Sequence, residues 1–157
     1  MGAVYQATDM RLRSTVALKE TLVEGDAFRK AFEREAHLLA SLNHSNIAAI
    51  FSLHVHEGLR FLAMEYVPGE DLSTRLLRGP VPVAEALRVA RQIAEALEEA
   101  HEQGVVHRDL KPANVMVGDH GEVLVIDWGV ARSLGPEDDD LPWLVGTREY
   151  LAPEIWS

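Results

Sequence analysis

The chain has 157 residues, a formal net charge of −10 and no cysteine. The absence of cysteine excludes disulfides and thiolate metal sites, and the acidic balance argues against nucleic acid as a partner, because phosphate backbones require a basic surface. No apolar run approaches the roughly 20 residues of a membrane span, and no signal peptide is visible. We therefore expect a cytoplasmic segment with no membrane span of its own, whether or not the full-length protein is anchored elsewhere.

The first part of the chain predicts an antiparallel sheet. Residues 4–8 and 15–19 form two strands around a turn, which places Val4 opposite Lys19. Along the second strand, Ala17 and Lys19 face one side, and the residues between them face the other. Two further strands are predicted over residues 47–53 and 59–64.

A helix is predicted between the two strand pairs, over residues 27–42. Its apolar stripe, from Phe28 to Leu42, contains one carboxylate, Glu35. A buried charge without a partner is very costly, and Lys19 is the natural cation for it. The alternative is that Glu35 lies at the margin of the stripe and points to solvent.

The second half of the chain predicts helices. Pro68 and Gly69 break regular structure, and helices follow over residues 72–77 and about 83–103. The longer helix is expected to begin after Pro82 and to end before Gly104. Its predicted buried face consists of Ala86, Ala90, Ile93, Leu97 and Ala100.

A tight hairpin is predicted after the second helix. Two β-branched runs, residues 115–117 and 123–126, flank a Gly/Asp-rich turn centred on His120 and Gly121. In that register Asn114 and Asp127 face each other, with Cα atoms about 5 Å apart. Two adjacent oxygen-bearing side chains suit a hard cation such as Mg²⁺ with phosphate as co-ligand, and Asp109 lies in the loop that leads to the same place.

Five motifs carry a family resemblance. The sequence HRDLKPAN at residues 107–114 and DWG at residues 127–129 resemble the catalytic loop and metal-binding turn of eukaryotic-type (Hanks-type) serine/threonine protein kinases. VALK at residues 16–19, Glu35, and GTREYLAPE at residues 146–154 resemble the lysine strand, the helix glutamate that pairs with this lysine, and the end of the activation segment. Together, in order, these motifs are far more specific than any one of them.

The resemblance implies an α+β, protein-kinase-like, two-lobed fold. A small antiparallel-sheet lobe with the hinge would occupy residues 1–67, and the first part of a mainly helical lobe would occupy residues 68–157. Only the last glycine of the family's glycine loop, Gly2, is present, and the chain stops at Ser157 just after the final motif. We therefore expect a kinase domain that is truncated at both ends.

The resemblance also implies transfer of the ATP γ-phosphate to Ser/Thr hydroxyls of proteins, with Mg²⁺, or alternatively Mn²⁺, as the metal. Asp109 would accept the hydroxyl proton, Lys111 would neutralise the moving phosphoryl group, and Lys19 would be held by Glu35. Asn114 and Asp127 would bind the metal. The residues implied to bind the nucleotide are Gly2, Val4, Ala17, Lys19, Met64, Glu65, Val67, Asp71 and Met116.

Alternatives remain beside this interpretation. One alternative is a catalytically impaired nucleotide-binding fragment or a pseudokinase-like interaction module. Another is a small-molecule kinase of the same fold. Arg108 and the motif at residues 146–154 disfavour the last of these. Arg108 usually accompanies control by activation-segment phosphorylation, and the acidic run at residues 137–140 either is a solvated loop or supplies a carboxylate that pairs with Arg108.

Overall fold

The computed structural model describes residues 3–21, 42–128, 132–133 and 146–155. Gly2, Glu35 with nearly all of the helix expected over residues 27–42, and the acidic run at residues 137–140 lie outside this part of the chain. Two compact units are present. The first comprises Met1–Asn43 and Ala48–Val67, and the second comprises His44–Ile47 and Pro68–Ser157.

The first unit contains a four-stranded antiparallel sheet with strand order β1-β2-β4-β3. The strands are β1 Val4–Asp9, β2 Ser14–Thr21, β3 Ile50–His56 and β4 Leu59–Glu65. The predicted pairing of Val4 with Lys19 is confirmed. The β3–β4 connection is a two-residue turn in which Glu57 and Gly58 both have positive φ, 50° and 79°, a turn whose twist matches that of the strands it joins.

The prediction that a strand starts at Ile47 is wrong. Strand β3 begins at Ile50, while Ile47 forms an isolated parallel bridge to Val125 within the second unit. The physical reason is that the backbone of this short segment pairs with a strand of the second unit instead of continuing the first sheet.

In its described residues, the second unit contains two helices, two small sheets and three 3₁₀ turns. Helix α1 spans Leu72–Leu77 and helix α2 spans Val83–Glu102. Strands β5 Gly69–Asp71, β7 Val115–Gly118 and β8 Val123–Val125 form a sheet in the order β5-β7-β8, and β6 Val105–Val106 pairs with β9 Arg132–Ser133. The 3₁₀ turns are Pro112–Asn114, Arg148–Tyr150 and Pro153–Ile155.

Both predicted helices are present, but the buried face of α2 is rotated. Its buried residues are Val89, Ala96 and Ala100, while Ala90 is exposed. Val89 packs with Val115 and Val123 in a core cluster, so contact with the hairpin strands sets the orientation of the helix. No helix in the described part of the chain is long and apolar enough to cross a bilayer.

The predicted hairpin forms with a register one residue away from the expected one. Val115 pairs with Val125, and the Ile126 N–H donates to the Asn114 carbonyl at 3.0 Å, so Asn114 lies opposite Ile126 and not opposite Asp127. The cause is the loop, which has three residues between the closing pair Gly118 and Glu122 and ends on Gly121 with φ 87°. Three-residue hairpin loops place a residue with left-handed backbone at this point, whereas the prediction assumed two.

Candidate active site

Three side chains from two distant segments meet in the catalytic loop of the second unit. The Lys111 Nζ donates to Asp109 Oδ2 at 2.7 Å and to Thr147 Oγ1 at 2.6 Å. The hydroxyl and the backbone N–H of Thr147 donate to Asp109 Oδ1 at 2.6 and 2.7 Å. Both oxygens of the carboxylate therefore accept hydrogen bonds. The Asp109 and Lys111 side chains are 16% and 15% exposed to solvent.

These contacts set the protonation of Asp109. Burial raises the pKa of its carboxyl, but the hydrogen bonds from Lys111 and Thr147 and the positive charge of Lys111 outweigh burial, and the net pKa lies below its ordinary value. The carboxylate is consequently ionised at neutral pH. It can orient a hydroxyl donor and accept a proton from it.

Asn114 is fixed by the same loop. Its side-chain NH₂ donates to the Asp109 backbone carbonyl at 2.8 Å and to Asp109 Oδ2 at 3.3 Å, and the residue is 4% exposed. Both contacts use the nitrogen, and the amide oxygen Oδ1 is the atom of this side chain that could act as a metal ligand.

Asp127 lies two residues after the end of β8 and has a constrained backbone. Its φ is 60° and that of Arg108 is 66°, a left-handed region that residues with a side chain rarely adopt. The segment before Asp127 is held because the His107 ring nitrogen Nε2 lies 3.0 Å from the Ile126 carbonyl. The rings of His107 and Trp128 pack with centroids 4.5 Å apart.

His107 is a neutral structural group. It is 2% exposed, and this burial lowers its pKa, against the smaller raising effects of the Ile126 carbonyl and of Asp127 and Asp109. Its Nδ1 accepts the Asp109 backbone N–H at 3.3 Å, so Nε2 carries the proton that bonds to Ile126. The neutral imidazole thus joins the catalytic loop to the end of the hairpin.

The nucleotide-binding candidates of the first unit share one face of its sheet. Val4 is the register partner of Lys19, and Ala17 is the register partner of Met64. Since cross-strand partners project to the same side and successive residues alternate, Val4, Ala17, Lys19 and Met64 all lie on one face. Ala17, Lys19 and Met64 are half-buried, while Val4 is exposed.

Glu65 and Val67 are the two residues whose backbone groups were predicted to hydrogen-bond to the purine. The Glu65 N–H donates to the Ala49 carbonyl at 2.8 Å, and the Glu65 carboxylate accepts the Ala49 N–H at 3.1 Å. Of the backbone groups of Glu65, the N–H is therefore already engaged, and its carbonyl is the group that remains for a purine edge. Val67 is buried at the end of the first unit.

The remaining two nucleotide candidates are cross-strand neighbours in the second unit. Asp71 on β5 pairs with Met116 on β7. The Asp71 carboxylate is the N-cap of α1: it accepts the backbone N–H of Thr74 at 3.0 Å and its hydroxyl at 2.7 Å, and also the Ser73 hydroxyl. Burial raises the pKa of this carboxyl and these hydrogen bonds lower it, with a net lowering. A ribose hydroxyl would have to bond to a carboxylate that already accepts hydrogen bonds from Ser73 and Thr74.

Sequence reasoning missed the role of Thr147. It lies 38 residues after Asp109 and was predicted only as part of the motif at residues 146–154. Its approach requires Gly146, whose φ is 131° and where a side-chain Cβ would lie 2.7 Å from the Arg108 carbonyl oxygen. A hydroxyl residue directly after a motif glycine is the only local signal, and it has no periodicity to reveal it.

The oxygen donors present fit Mg²⁺. An amide oxygen and a carboxylate are the ligands that hard cations prefer. Within the described part of the chain, no three His, Cys, Asp or Glu side chains come together as a self-sufficient metal site. An ion at Asn114 and Asp127 would therefore need phosphate oxygens and water for its other positions.

A sheet unit with a half-buried lysine, and a second unit whose HRDLKPAN loop holds an ionised aspartate beside a hairpin that leads to the DWG motif, define a protein kinase domain. The chain belongs to the protein kinase domain family, whose model matches residues 1–157.

Among curated proteins it is similar to the probable serine/threonine-protein kinase pknA2 of Bifidobacterium longum, with 39% identity over 163 residues, 99% of this chain and 22% of that protein. It is also similar to the probable serine/threonine-protein kinase SCO3848 of Streptomyces coelicolor, with 38% identity covering 98% of this chain and 24% of that protein. Serine/threonine-protein kinase PknB of Mycobacterium leprae shows 35% identity, covering 98% of this chain and 26% of that protein. The chain thus spans about a quarter of the length of these relatives.

Proposed function

We propose that this chain forms the catalytic part of a serine/threonine protein kinase that transfers the γ-phosphoryl group of ATP to Ser or Thr hydroxyls of proteins. The observation that carries the proposal is the contact set in which Asp109, Lys111 and Thr147 hold one another. Relatives with 35–39% identity are named serine/threonine-protein kinases, which supports the same substrate class.

The catalytic loop has the two groups that phosphoryl transfer requires. Catalysis of this reaction depends on positioning and charge neutralisation more than on covalent chemistry. We assign Asp109 as the group that orients the substrate hydroxyl and accepts its proton, since its carboxylate is ionised and fixed. Lys111 neutralises charge on the transferred phosphoryl group, because its ammonium lies 2.7 Å from the same carboxylate.

The metal ligands of the proposal are Asn114 and Asp127. Its support is the orientation of the Asn114 amide, whose nitrogen is bonded to Asp109 and whose oxygen is therefore the ligand atom. Mg²⁺, when bound, supplies positive charge against the phosphate oxygens. The chain's own contribution is to hold these two oxygen donors at the base of the hairpin, and the same donors would accept Mn²⁺.

The nucleotide-binding assignments are proposed for each unit separately. In the first unit, Val4, Ala17 and Met64 offer apolar contact to a purine, and Lys19 on the same face offers charge to the phosphates. The Glu65 carbonyl and the Val67 backbone offer hydrogen bonds to the purine edge. In the second unit, Asp71 and Met116 are also assigned to nucleotide binding. Two assignments lie outside the described residues: Gly2 for the nucleotide, and Glu35 as the partner of Lys19.

The setting of the reaction follows from its substrates. ATP and protein hydroxyl groups meet in the cytoplasm, and we place the action of this segment there. The partner is a protein with an accessible Ser or Thr.

The proposal is tested by ATP-dependent labelling of a generic protein substrate. We expect the parent chain to transfer phosphate and Asp109→Asn to lose about 100-fold or more of the rate, the usual contribution of a positioned base. The exposed Asp119→Asn variant, the same substitution outside the catalytic loop, controls for the loss of one negative charge and should match the parent. Binding of ATP by the parent without any transfer above the Asp109→Asn level would favour a pseudokinase-like module instead.

A further inference from the structure

Strand β8 is the edge strand of the β5-β7-β8 sheet and ends two residues before Asp127. Its hydrogen bonds to β7 involve alternate positions, as the bond from Ile126 N–H to the Asn114 carbonyl shows. In an antiparallel pair, the residues between such positions direct their N–H and C=O groups away from the partner strand. For β8 these are Val123 and Val125, so four backbone groups point to the outer edge.

All four outward groups have a partner. The Val123 N–H donates to Gln92 Oε1 at 3.1 Å, and the Val123 carbonyl accepts from Asn46 Nδ2 at 2.7 Å. The Val125 N–H donates to the Asn46 backbone carbonyl at 2.8 Å, and the Val125 carbonyl accepts from the Trp128 indole N–H at 3.2 Å. Three residues far apart in sequence thus cover the edge that a further strand would otherwise occupy.

Asn46 and Gln92 act as one unit. Their side chains are joined by a bond from Asn46 Nδ2 to Gln92 Oε1 at 2.9 Å, and Gln92 also donates to the Gly121 carbonyl of the hairpin loop at 3.3 Å. We refer to Asn46 and Gln92 as the amide pair. It connects helix α2, the short segment His44–Ile47 and both ends of β8.

The position of the amide pair makes it consequential. Asn46 is 6% exposed, and Val123 and Val125 are 1% and 0% exposed. A backbone group left without a partner in such surroundings keeps the full cost of its lost hydration. Removal of either side chain of the pair therefore forces β8 to shift, or water to enter, at Val123, four residues before Asp127.

We propose that the amide pair of Asn46 and Gln92 is a positioning element for the metal ligand Asp127, which acts by fixing the outer edge of β8. This inference rests on the proposed metal site. Neither residue touches the reacting groups, so both are positioning residues. Their effect belongs to metal binding and not to the recognition of the protein substrate.

The first test is amide hydrogen exchange of the full chain. In the parent, the Val123 and Val125 amides should exchange as slowly as the ladder amides of Gly118 and Ile126, although β8 is an edge strand. Exchange of Val123 and Val125 at rates typical of an open strand edge would overturn the proposal without the need for any variant.

The second test measures binding of Mn²⁺ together with a non-hydrolysable ATP analogue by electron paramagnetic resonance. Gln92→Met keeps side-chain length but removes the acceptor of the Val123 N–H. We expect it to weaken Mn²⁺ binding about tenfold, the lower end of the effect of losing a supporting outer-shell contact, and to speed exchange at Val123. The matched control is Gln103→Met, the same substitution at the exposed end of the same helix, which should leave both readouts unchanged.

Outcomes separate this inference from the function on which it rests. If the parent binds Mn²⁺ and Gln92→Met binds it equally well with faster exchange at Val123, the positioning role is refuted while the proposed kinase function stands. If the parent itself fails to bind Mn²⁺ with the analogue, the metal assignment is refuted and the inference with it. Should Gln92→Met not fold, Asn46→Ala is used instead. It removes the side chain that bonds to the Val123 carbonyl and keeps the Asn46 backbone carbonyl that accepts from Val125. Its control is Asn43→Ala, judged by the same criteria.

Discussion

Replacing Thr147 with valine removes one hydroxyl from the catalytic loop and preserves side-chain shape. That hydroxyl donates to Asp109 Oδ1 at 2.6 Å and accepts from Lys111 Nζ at 2.6 Å. The Thr147 backbone N–H keeps its own bond to Asp109 at 2.7 Å. The variant therefore loosens the carboxylate without leaving Oδ1 unbonded.

The expected loss follows from the charge of both partners. A hydrogen bond to a charged group contributes about 1.5–3 kcal/mol, which corresponds to roughly 10- to 150-fold in rate if it is all expressed in the transition state. Because the backbone bond remains and both charged side chains keep some exposure, we expect Thr147→Val to lower kcat/KM by about 10- to 30-fold. Thr147→Ser retains the hydroxyl and should recover most of the activity.

The pH dependence gives an independent readout. The Thr147 hydroxyl is one of the groups that lower the pKa of Asp109, so its removal should raise that pKa. A base with a raised pKa becomes protonated at a higher pH, and the acidic limb of the kcat/KM profile should move toward neutral pH in Thr147→Val but not in Thr147→Ser. A valine variant with parental kcat/KM and an unmoved acidic limb would refute the assignment of Asp109 as the base held by Thr147.

Three further variants test other parts of the site. Asp71→Ala removes the α1 N-cap and should lower the free energy of unfolding by about 1–2 kcal/mol in urea titrations, whereas asparagine, an equally good cap, should lose little. Gly146→Ala should be less stable than Gly79→Ala by about 1–3 kcal/mol, because both glycines have positive φ, yet a Cβ meets nearby atoms only at the former; equal losses would contradict the close packing at Gly146. Burial lowers the pKa of His107, so its stabilising effect is complete above about pH 6.5 and is lost as the pH falls toward the folded pKa, with a slope of at most about 1.4 kcal/mol per pH unit. The unfolding free energy of His107→Asn, measured between pH 7.5 and 5.5, should therefore depend less steeply on pH than that of the parent, while the exposed His120→Asn should keep the parental slope.

Local patterns predicted the pairing of β1 with β2 because strand register there depends on nearby residues. Alternation along β1 and β2 and a turn closed by Asp9 were sufficient to place Val4 opposite Lys19. The hairpin of β7 and β8 shows the limit of the same reasoning. Its Gly/Asp-rich sequence is compatible with a loop of two or of three residues. The three-residue loop that forms makes Ile126, and not Asp127, the cross-strand neighbour of Asn114.

Asp109, Lys111 and Asn114 were recognisable from the sequence since they lie within six residues of one another in a single loop. Their partners come from distant segments: Thr147 reaches Asp109 across 38 positions, and Asn46 reaches Val123 across 77. Contacts of this kind depend on how helices and strands pack, and the local periodicity of the sequence does not predict them. The order of the motifs therefore determined the family and suggested the proposed chemistry, whereas tertiary packing alone decided which hydroxyl holds the aspartate and which amides cover the strand before Asp127.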